Sequence, residues 1–177
     1  LAAHNASSGA VLPAAVKKRA RFGQVAPGTG PPPPSAARLV SSLPALVTAA
    51  GAVGLATVDL DTDEVARSVA VARVHDDAIL APLCVQVAAR HRGLSPAVVG
   101  YLPDQGVALG DVVVPTVGHA LLLNHRGKDA FTVVSAVDVV KGAVGEQLRG
   151  KAVVLGFTYL SHDVTPTPFD RQTAGVV

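Results

Sequence analysis

Four acidic residues lie close together, Asp59, Asp61, Asp63 and Glu64, and alternating carboxylates of this kind open the oxygen cage of a calcium loop. Counted from Asp59, the sixth position of such a loop needs a glycine for its sharp turn and holds Glu64. The twelfth needs a bidentate glutamate and holds Ala70. The group therefore reads as a solvated turn, with a weak cation site as the alternative. Ser161, His162 and Asp163 supply the residue types of a hydrolytic triad, yet three consecutive residues cannot converge on one reacting atom. His4, His75, His91, His119, His125 and His162 are scattered without the His-x-x-x-His or Glu-flanked spacing of a zinc site, so no metal ligands are assigned. Gly28-Thr29-Gly30 runs into prolines instead of Gly-Lys-Ser/Thr, which removes a nucleotide phosphate loop. Cys84 is the single cysteine, unable to form an internal disulfide, and within the apolar run 81–89 it reads as a small core residue. No catalytic residue and no cofactor follow from any of these groups.

Asn124-His125-Arg126-Gly127 is different, because it sets an amide, a titratable ring and a guanidinium at the end of an expected strand, where ligands tend to sit. The competing reading is that Asn124 and Gly127 simply make the turn. The basic cluster Lys17, Lys18, Arg19 and Arg21 reads as a solvated turn, with anionic lipid headgroups as the alternative partner.

The elements that must position these residues follow from patterning. Ala10 to Val16 reads as a short strand. The Gly/Pro-rich stretch 23–35, with Pro31 to Pro34, reads as a surface linker, because proline lacks a backbone donor and fixes φ. A run of prolines is also a ligand for an aromatic groove. Ala36 to Ala50 is expected to be helical in two pieces broken near Pro44. Val53 to Val58 and the alternating run Arg67 to Val74 are expected to form a hairpin around the acidic turn. Leu80 to Arg92 is the strongest helix, presenting Leu80, Leu83, Cys84, Val87 and Arg90 at helical spacing, with Arg90, His91 and Arg92 at its end and Gly93 as its stop. Short strands are expected at Val98 to Leu102, Val107 to Leu109, Val112 to Val114 and Ala120 to Asn124, and a helix capped by Ser135 over Val133 to Lys141. Ala152 to Phe157, apolar without alternation, reads as a central strand buried on both faces, and everything after Ser161 as loop.

At 177 residues the chain suits one domain, and its 49% apolar content against 3% aromatic requires a core of Ala, Val and Leu. Charged residues are 16% and the net charge is +2, without the clustered basic face of a nucleic-acid binder. Leu39 to Val58 is uncharged over about the length of a membrane span, but Pro44, Gly51 and Gly54 interrupt it and alanine prevails. From Leu1 and the absence of methionine the chain is expected to be an internal piece of a longer protein.

The order of these segments resembles a bacterial family, the second type of the cyclase/histidine-kinase-associated sensory extracellular domains. The resemblance is carried by Gly150-Lys151-Ala152-Val153-Val154-Leu155-Gly156, then Asp163, Thr167-Pro168 and Gly175-Val176-Val177, with Val177 where the family has glutamate. Upstream it continues through Asn124-His125-Arg126-Gly127, Phe131, Ser135-Ala136 and Val139, through Leu80 to Gly93, and through Gly54, Asp59 to Asp63 and Arg67. There Glu64 replaces the family's glycine. The family's early strand and Trp-Pro-rich segment have no counterpart, from which the N-terminal portion of the domain is expected to be missing.

The resemblance implies an α/β fold, a mixed sheet with flanking helices, forming over residues 1–177 a partial extracytoplasmic (periplasmic or cell-surface) sensor domain. It implies a parent anchored in the membrane by flanking helices and ending in an adenylate or guanylate cyclase, a histidine kinase or a Ser/Thr kinase. The domain itself would carry no enzymatic activity. Its partner would be a small-molecule or protein signal, with no nucleic acid, and the resemblance also implies a homodimer, because such catalytic parts work as dimers. Asn124, Arg126 and Asp163, an amide, a cation and an acid near strand ends, are the candidate ligand-binding residues. A stand-alone binding or scaffolding module and a small α/β enzyme remain the alternatives.

Overall fold

The computed structural model describes residues 2–5, 12–36, 39–127, 130–156, 164–170 and 173–174, with side chains described from 12 to 170 within that set. These residues cluster into two units, one comprising 1–59 and 68–122 and the other 60–67 and 123–177. The expected class holds: helices are interspersed among runs of strands, and the sheets combine parallel and antiparallel pairs.

In the first unit the order is β1 (Ala2–Asn5), α1 (Ala14–Ala20), β2 (Gln24–Val25), β3 (Leu39–Val40), α2 (Pro44–Ala49), β4 (Gly54–Leu55), β5 (Ser68–Ala70), β6 (Arg73–His75), β7 (Ala78–Leu80), α3 (Leu83–His91), a 3-10 turn (Pro96–Val98), β8 (Val99–Leu102), β9 (Gly106–Leu109), β10 (Val112–Pro115) and β11 (Ala120–Leu122). β1 is the centre of a three-stranded sheet, antiparallel to β3 and parallel to β4. A four-stranded sheet runs β10-β9-β8-β2, its β2–β8 pair parallel and the others antiparallel.

The expected strand near Val16 is instead α1. Pro13 stands at its N-terminus, Ala, Lys and Arg follow, and the two buried residues, Val16 and Ala20, are four apart as a helix requires. Lys17, Lys18 and Arg19 occupy its last turn, where cations complement the helix dipole, so the expected solvated turn is helix too. Two of these cations have fixed partners: Lys17 is paired with Asp76, and Arg19 donates to the Ala50 and Thr48 carbonyls at the C-terminus of α2. Arg90 donates to the next carbonyl, that of Gly51. Two guanidinium groups thus satisfy acceptors that a helix end leaves unpaired.

The first half of the expected Ala36–Ala50 helix contains β3, while α2 begins at Pro44, the position where proline's fixed φ suits a helix start. The expected hairpin does not form: β4 pairs with β1, β5 pairs with β11, and between the two arms there is only the Asp59–Ser68 bridge. The run from Arg67 to Val74 is divided at Val71 and Ala72, both buried, because β5 and β6 belong to different ladders. β6 and β7 form a hairpin across Asp76-Asp77, with Asp76 at φ 51°, a region aspartate tolerates better than most residues.

Helix α3 starts after Pro82, since Leu80 and Ala81 are taken into the strand and its exit, both fully buried. Its buried face is Val85, Gln86 and Ala89; Cys84 and Val87 are exposed, so Cys84 is not the core residue its sequence context suggested. Gly93 ends the helix at φ 69°, as expected. The strands expected after residue 98 are present as β8 to β11 within a residue or two.

The stretch 23–35 is not wholly a linker, because Gln24–Val25 pairs with β8. Farther on, Asp104 accepts from the Thr29 and Gly30 amides, and Ser35 bridges to Val74. The hydrophobic residues of both core clusters lie in this first unit. Leu39, Val53, Leu80, Val71 and Val107 are fully buried, and Tyr101 is the one large aromatic among them, against Phe22.

The second unit contains α4 (Ala136–Val140), α5 (Gly145–Leu148), β12 (Val164–Thr165) and β13 (Thr173–Ala174). Ser135 caps α4 as expected, its hydroxyl accepting from the Val137 amide at 3.3 Å. The expected central strand is absent over 152–156, where Val153, Val154 and Leu155 are exposed. Apolar composition gave that run a reason to be buried, but a strand also needs a neighbouring edge, and none among the described residues pairs with it. The segment after Ser161 is not all loop, since β12 and β13 pair antiparallel on either side of Pro166 and Pro168. Among the described residues no helix is long and apolar enough to cross a membrane.

Two glycines separate backbone strain from steric exclusion. At Gly93 a Cβ would meet nothing within 4 Å, whereas at Gly106, with φ 137°, it would lie 2.0 Å from the Val114 carbonyl oxygen. Gly93→Ala is expected to cost about 1 kcal/mol in urea unfolding, and Gly106→Ala more than ~3 kcal/mol. Equal losses would show that the β9–β10 contact is not as close as described.

Candidate functional site

The Asn124-His125-Arg126-Gly127 segment leaves β11 and is held at its start by main-chain and ring contacts. The Leu123 amide donates to the Arg67 carbonyl at 2.8 Å, and His125 Nε2–H donates to the Ala66 carbonyl at 2.9 Å. The Ala66 amide in turn donates to the Pro166 carbonyl at 2.8 Å, so Ala66 is engaged on both sides. Burial alternates along the segment: His125 is half-buried, while Asn124 and Arg126 are exposed. Neither Asn124 nor Arg126 has a hydrogen bond or ion pair with the described residues, leaving an amide and a guanidinium two residues apart and open to solvent. Asp163, with Ser161 and His162, lies outside the described residues. Asn124 and Arg126 are near each other because they are two residues apart in the sequence, and the described residues do not place Asp163 beside them.

Beside the anchor of His125, the acidic turn is closed by arginine. Arg67 Nη1 donates to Asp61 and Asp63 at 2.8 Å each, and Nη2 donates to the second Asp63 oxygen, also at 2.8 Å. The fork geometry of guanidinium suits this bidentate pairing. Its hydrogen bonds hold the Asp63 carboxyl down at about 2 and raise the Arg67 guanidinium. Glu64 adopts φ 63°, taking the left-handed position where a calcium loop places glycine. Asp59, in the first unit, is instead paired with the buried Arg73, whose Nε also donates to Thr57 Oγ1 at 3.1 Å. Three of the four clustered acids thus face guanidinium groups. Among the described residues no group of three or more His, Cys, Asp or Glu gathers to hold a metal ion.

Thr167 and Asp170 shape the turn after β12: the Thr167 amide donates to the Asp170 carbonyl at 2.7 Å, and Asp170 N–H donates to Thr167 Oγ1 at 3.2 Å. Thr167-Pro168 therefore has a local structural role, bordering the carbonyl that holds Ala66.

A family model described as the CHASE2 domain matches residues 5–177. The chain belongs to the CHASE2 domain family. CHASE2 domains are extracellular sensory domains found in signalling proteins, and their role is sensory, not catalytic. No curated protein and no solved structure matches the chain.

Sequence reasoning singled out His125 only as one of three polar groups; its use as an anchor became visible once Ala66 was placed beside it. The Arg67 network had a local signal, the four-residue spacing from Asp63. The Arg73–Asp59 and Tyr101–His119 pairs had none, because their members lie 14 and 18 residues apart and meet through folding.

The Asp63 carboxyl supplies a pH prediction with a definite sign. Its folded value is depressed, so the pair's contribution is present above the unfolded value, about 3.9, and is lost as pH falls through about 2. A carboxyl NMR titration should place Asp63 near that low midpoint, and Arg67→Gln should return it toward about 4. An unchanged midpoint in the variant would remove the pair as the cause.

Proposed function

We propose that this CHASE2 domain is the extracytoplasmic sensory part of a bacterial transmembrane signalling protein. The parent's catalytic end is an adenylate or guanylate cyclase, a histidine kinase or a Ser/Thr kinase. The reading rests on one observation, the match to an extracellular sensory family across residues 5–177. Membrane helices flanking the domain anchor the parent, and the domain faces the periplasm or the cell surface. Binding of a small-molecule or protein signal biases two arrangements of the domain, and the bias passes through the membrane to the catalytic part. The parent acts as a homodimer, in keeping with catalytic parts of these kinds.

Asn124, Arg126 and Asp163 are the proposed contacts for a small polar or anionic signal. Support for the first two is their exposure beside the anchored His125, with hydrogen-bonding groups unused by the described residues. A protein signal is the second reading, favoured by the exposed apolar side chains Phe131, Val140, Val154 and Leu155.

Cys84 provides a test of the placement, since it is exposed on α3 and is the single cysteine of the chain. Desolvation by its surroundings pushes the thiol pKa up, so labelling is best done at mildly alkaline pH. In intact cells making the parent protein, a membrane-impermeant maleimide should label Cys84, and Cys84→Ser should remove that label. Labelling only after lysis would overturn the extracytoplasmic placement.

For the site, calorimetric screening of small carboxylates and phosphates should yield a ligand whose affinity falls about tenfold or more in both Arg126→Ala and Asp163→Ala. Undiminished binding in both variants would exclude these residues from the site.

A further inference from the structure

Buried Tyr101 and half-buried His119 form a pair that the ligand-site reading leaves unused. The Tyr101 side chain is 1% exposed, and its hydroxyl lies 2.6 Å from His119 Nδ1. The other ring nitrogen, Nε2, is buried and has no hydrogen-bond partner among the described residues. Burial pushes the Tyr101 hydroxyl pKa up, with a further push from Asp104, so the phenol keeps its proton and can donate it to Nδ1 when that nitrogen is unprotonated. That neutral pair already carries one buried N–H without an acceptor.

His119 sits on a tight turn with Gly118, which has φ 61°. The Val117 and Ala120 main chains exchange hydrogen bonds of 2.9 and 3.1 Å across it, and Thr116 Oγ1 donates to the Gly118 carbonyl at 3.0 Å. The His119 carbonyl accepts from the Val71 amide at 2.8 Å. The turn therefore holds the start of β11, which pairs with β5.

Among the described residues no carboxylate is in contact with the ring, and Tyr101 on β8 is the one ionisable side chain bonded to it. β5, β9, β10 and β11 carry no charged residue. On the Val71 side the following strand carries Arg73, engaged with Asp59 and Thr57, and His75, whose Nδ1–H donates to the Ala36 carbonyl. Asp104 accepts from the Thr29 and Gly30 amides, and Asp111, at the β9–β10 turn, is paired with Arg92. A second proton on the ring makes Nδ1 a donor to the tyrosine oxygen, so the phenol O–H loses its acceptor, and it leaves a positive charge beside an unanswered Nε2–H. Both are relieved when the ring swings to water.

We propose that the Tyr101–His119 pair is a proton-operated latch, which holds the 116–120 turn closed while the ring is neutral and releases it on acidification. Histidine ordinarily changes charge between about pH 5 and 8, the range an extracellular domain meets in its medium. The latch is internal to the first unit and does not depend on the ligand-site reading.

The test uses the full 177-residue chain, isotope-labelled, with hydrogen exchange corrected for the intrinsic effect of pH. Imidazole nitrogen spectra follow protonation of His119 from about pH 7.5 to about pH 5. As the ring takes its second proton, protection of the Val71, Val117 and Ala120 amides should fall about tenfold or more, while amides of the β8–β9 ladder keep theirs. In His119→Gln that pH dependence should vanish, and in Tyr101→Phe it should weaken. Protonation of His119 with protection unchanged in the wild-type chain overturns the latch, whether or not the variants fold. The same pH dependence in a folded His119→Gln variant overturns it too.

Discussion

Small side chains fill little space, and a chain with no tryptophan, two tyrosines and four phenylalanines must close its core by bringing backbones together. Gly54 shows what this demands. A Cβ there would lie 2.4 Å from the Cα of Leu83, so the parallel strand β4 meets the first turn of α3 with no room for any side chain between them. Gly23 packs as tightly, its missing Cβ falling 2.1 Å from the Pro96 carbonyl oxygen. Around these contacts Ala20, Ala36, Ala72, Ala78, Ala81 and Ala89 are buried. Tyr101 and Phe22, packed ring against ring, are the exceptions that span the space the small residues leave.

Close backbone approach exposes carbonyls and carboxylates that need partners, and arginine supplies them repeatedly. Arg19 and Arg90 converge on the carbonyls at the end of α2, Arg73 ties Thr57 and Asp59 to β6, and Arg67 closes the acidic turn. The long guanidinium arm reaches between elements that no short side chain could link, and its several donors satisfy more than one acceptor at once. This is why the cluster Lys17 to Arg21 became largely structural: Lys17 and Arg19 have internal partners, and Lys18 and Arg21 are the two left exposed.

For a sensory domain the second unit presents a different surface. Its α4 and α5 bury no residue, and Val140 and Leu155 are among the most exposed large apolar side chains described. Asn124 and Arg126 project from a segment whose intervening residue is fixed by a carbonyl, so their backbone is anchored while their polar ends are unused by the described residues. In the proposed site, that anchored backbone would reduce the ordering that must accompany binding.

Local sequence determined the class of the fold, the strand series β8 to β11, the end of α3 at Gly93, the Ser135 cap and the family, since each rests on residue order or on chemistry within a few positions. It misread Ala10 to Val16 and the first half of 36–50, where Ala, Val and Leu suit helix and strand alike and only the neighbouring elements choose. The same limit governs 152–156, whose apolar run looked buried although burial depends on an available sheet edge. Tertiary structure alone decided that β4 joins β1 instead of β5, that Cys84 faces outward, and that Asp59 and Asp61 answer to different arginines. Those outcomes depend on contacts between segments far apart in the chain, for which no pattern inside either segment carries the information.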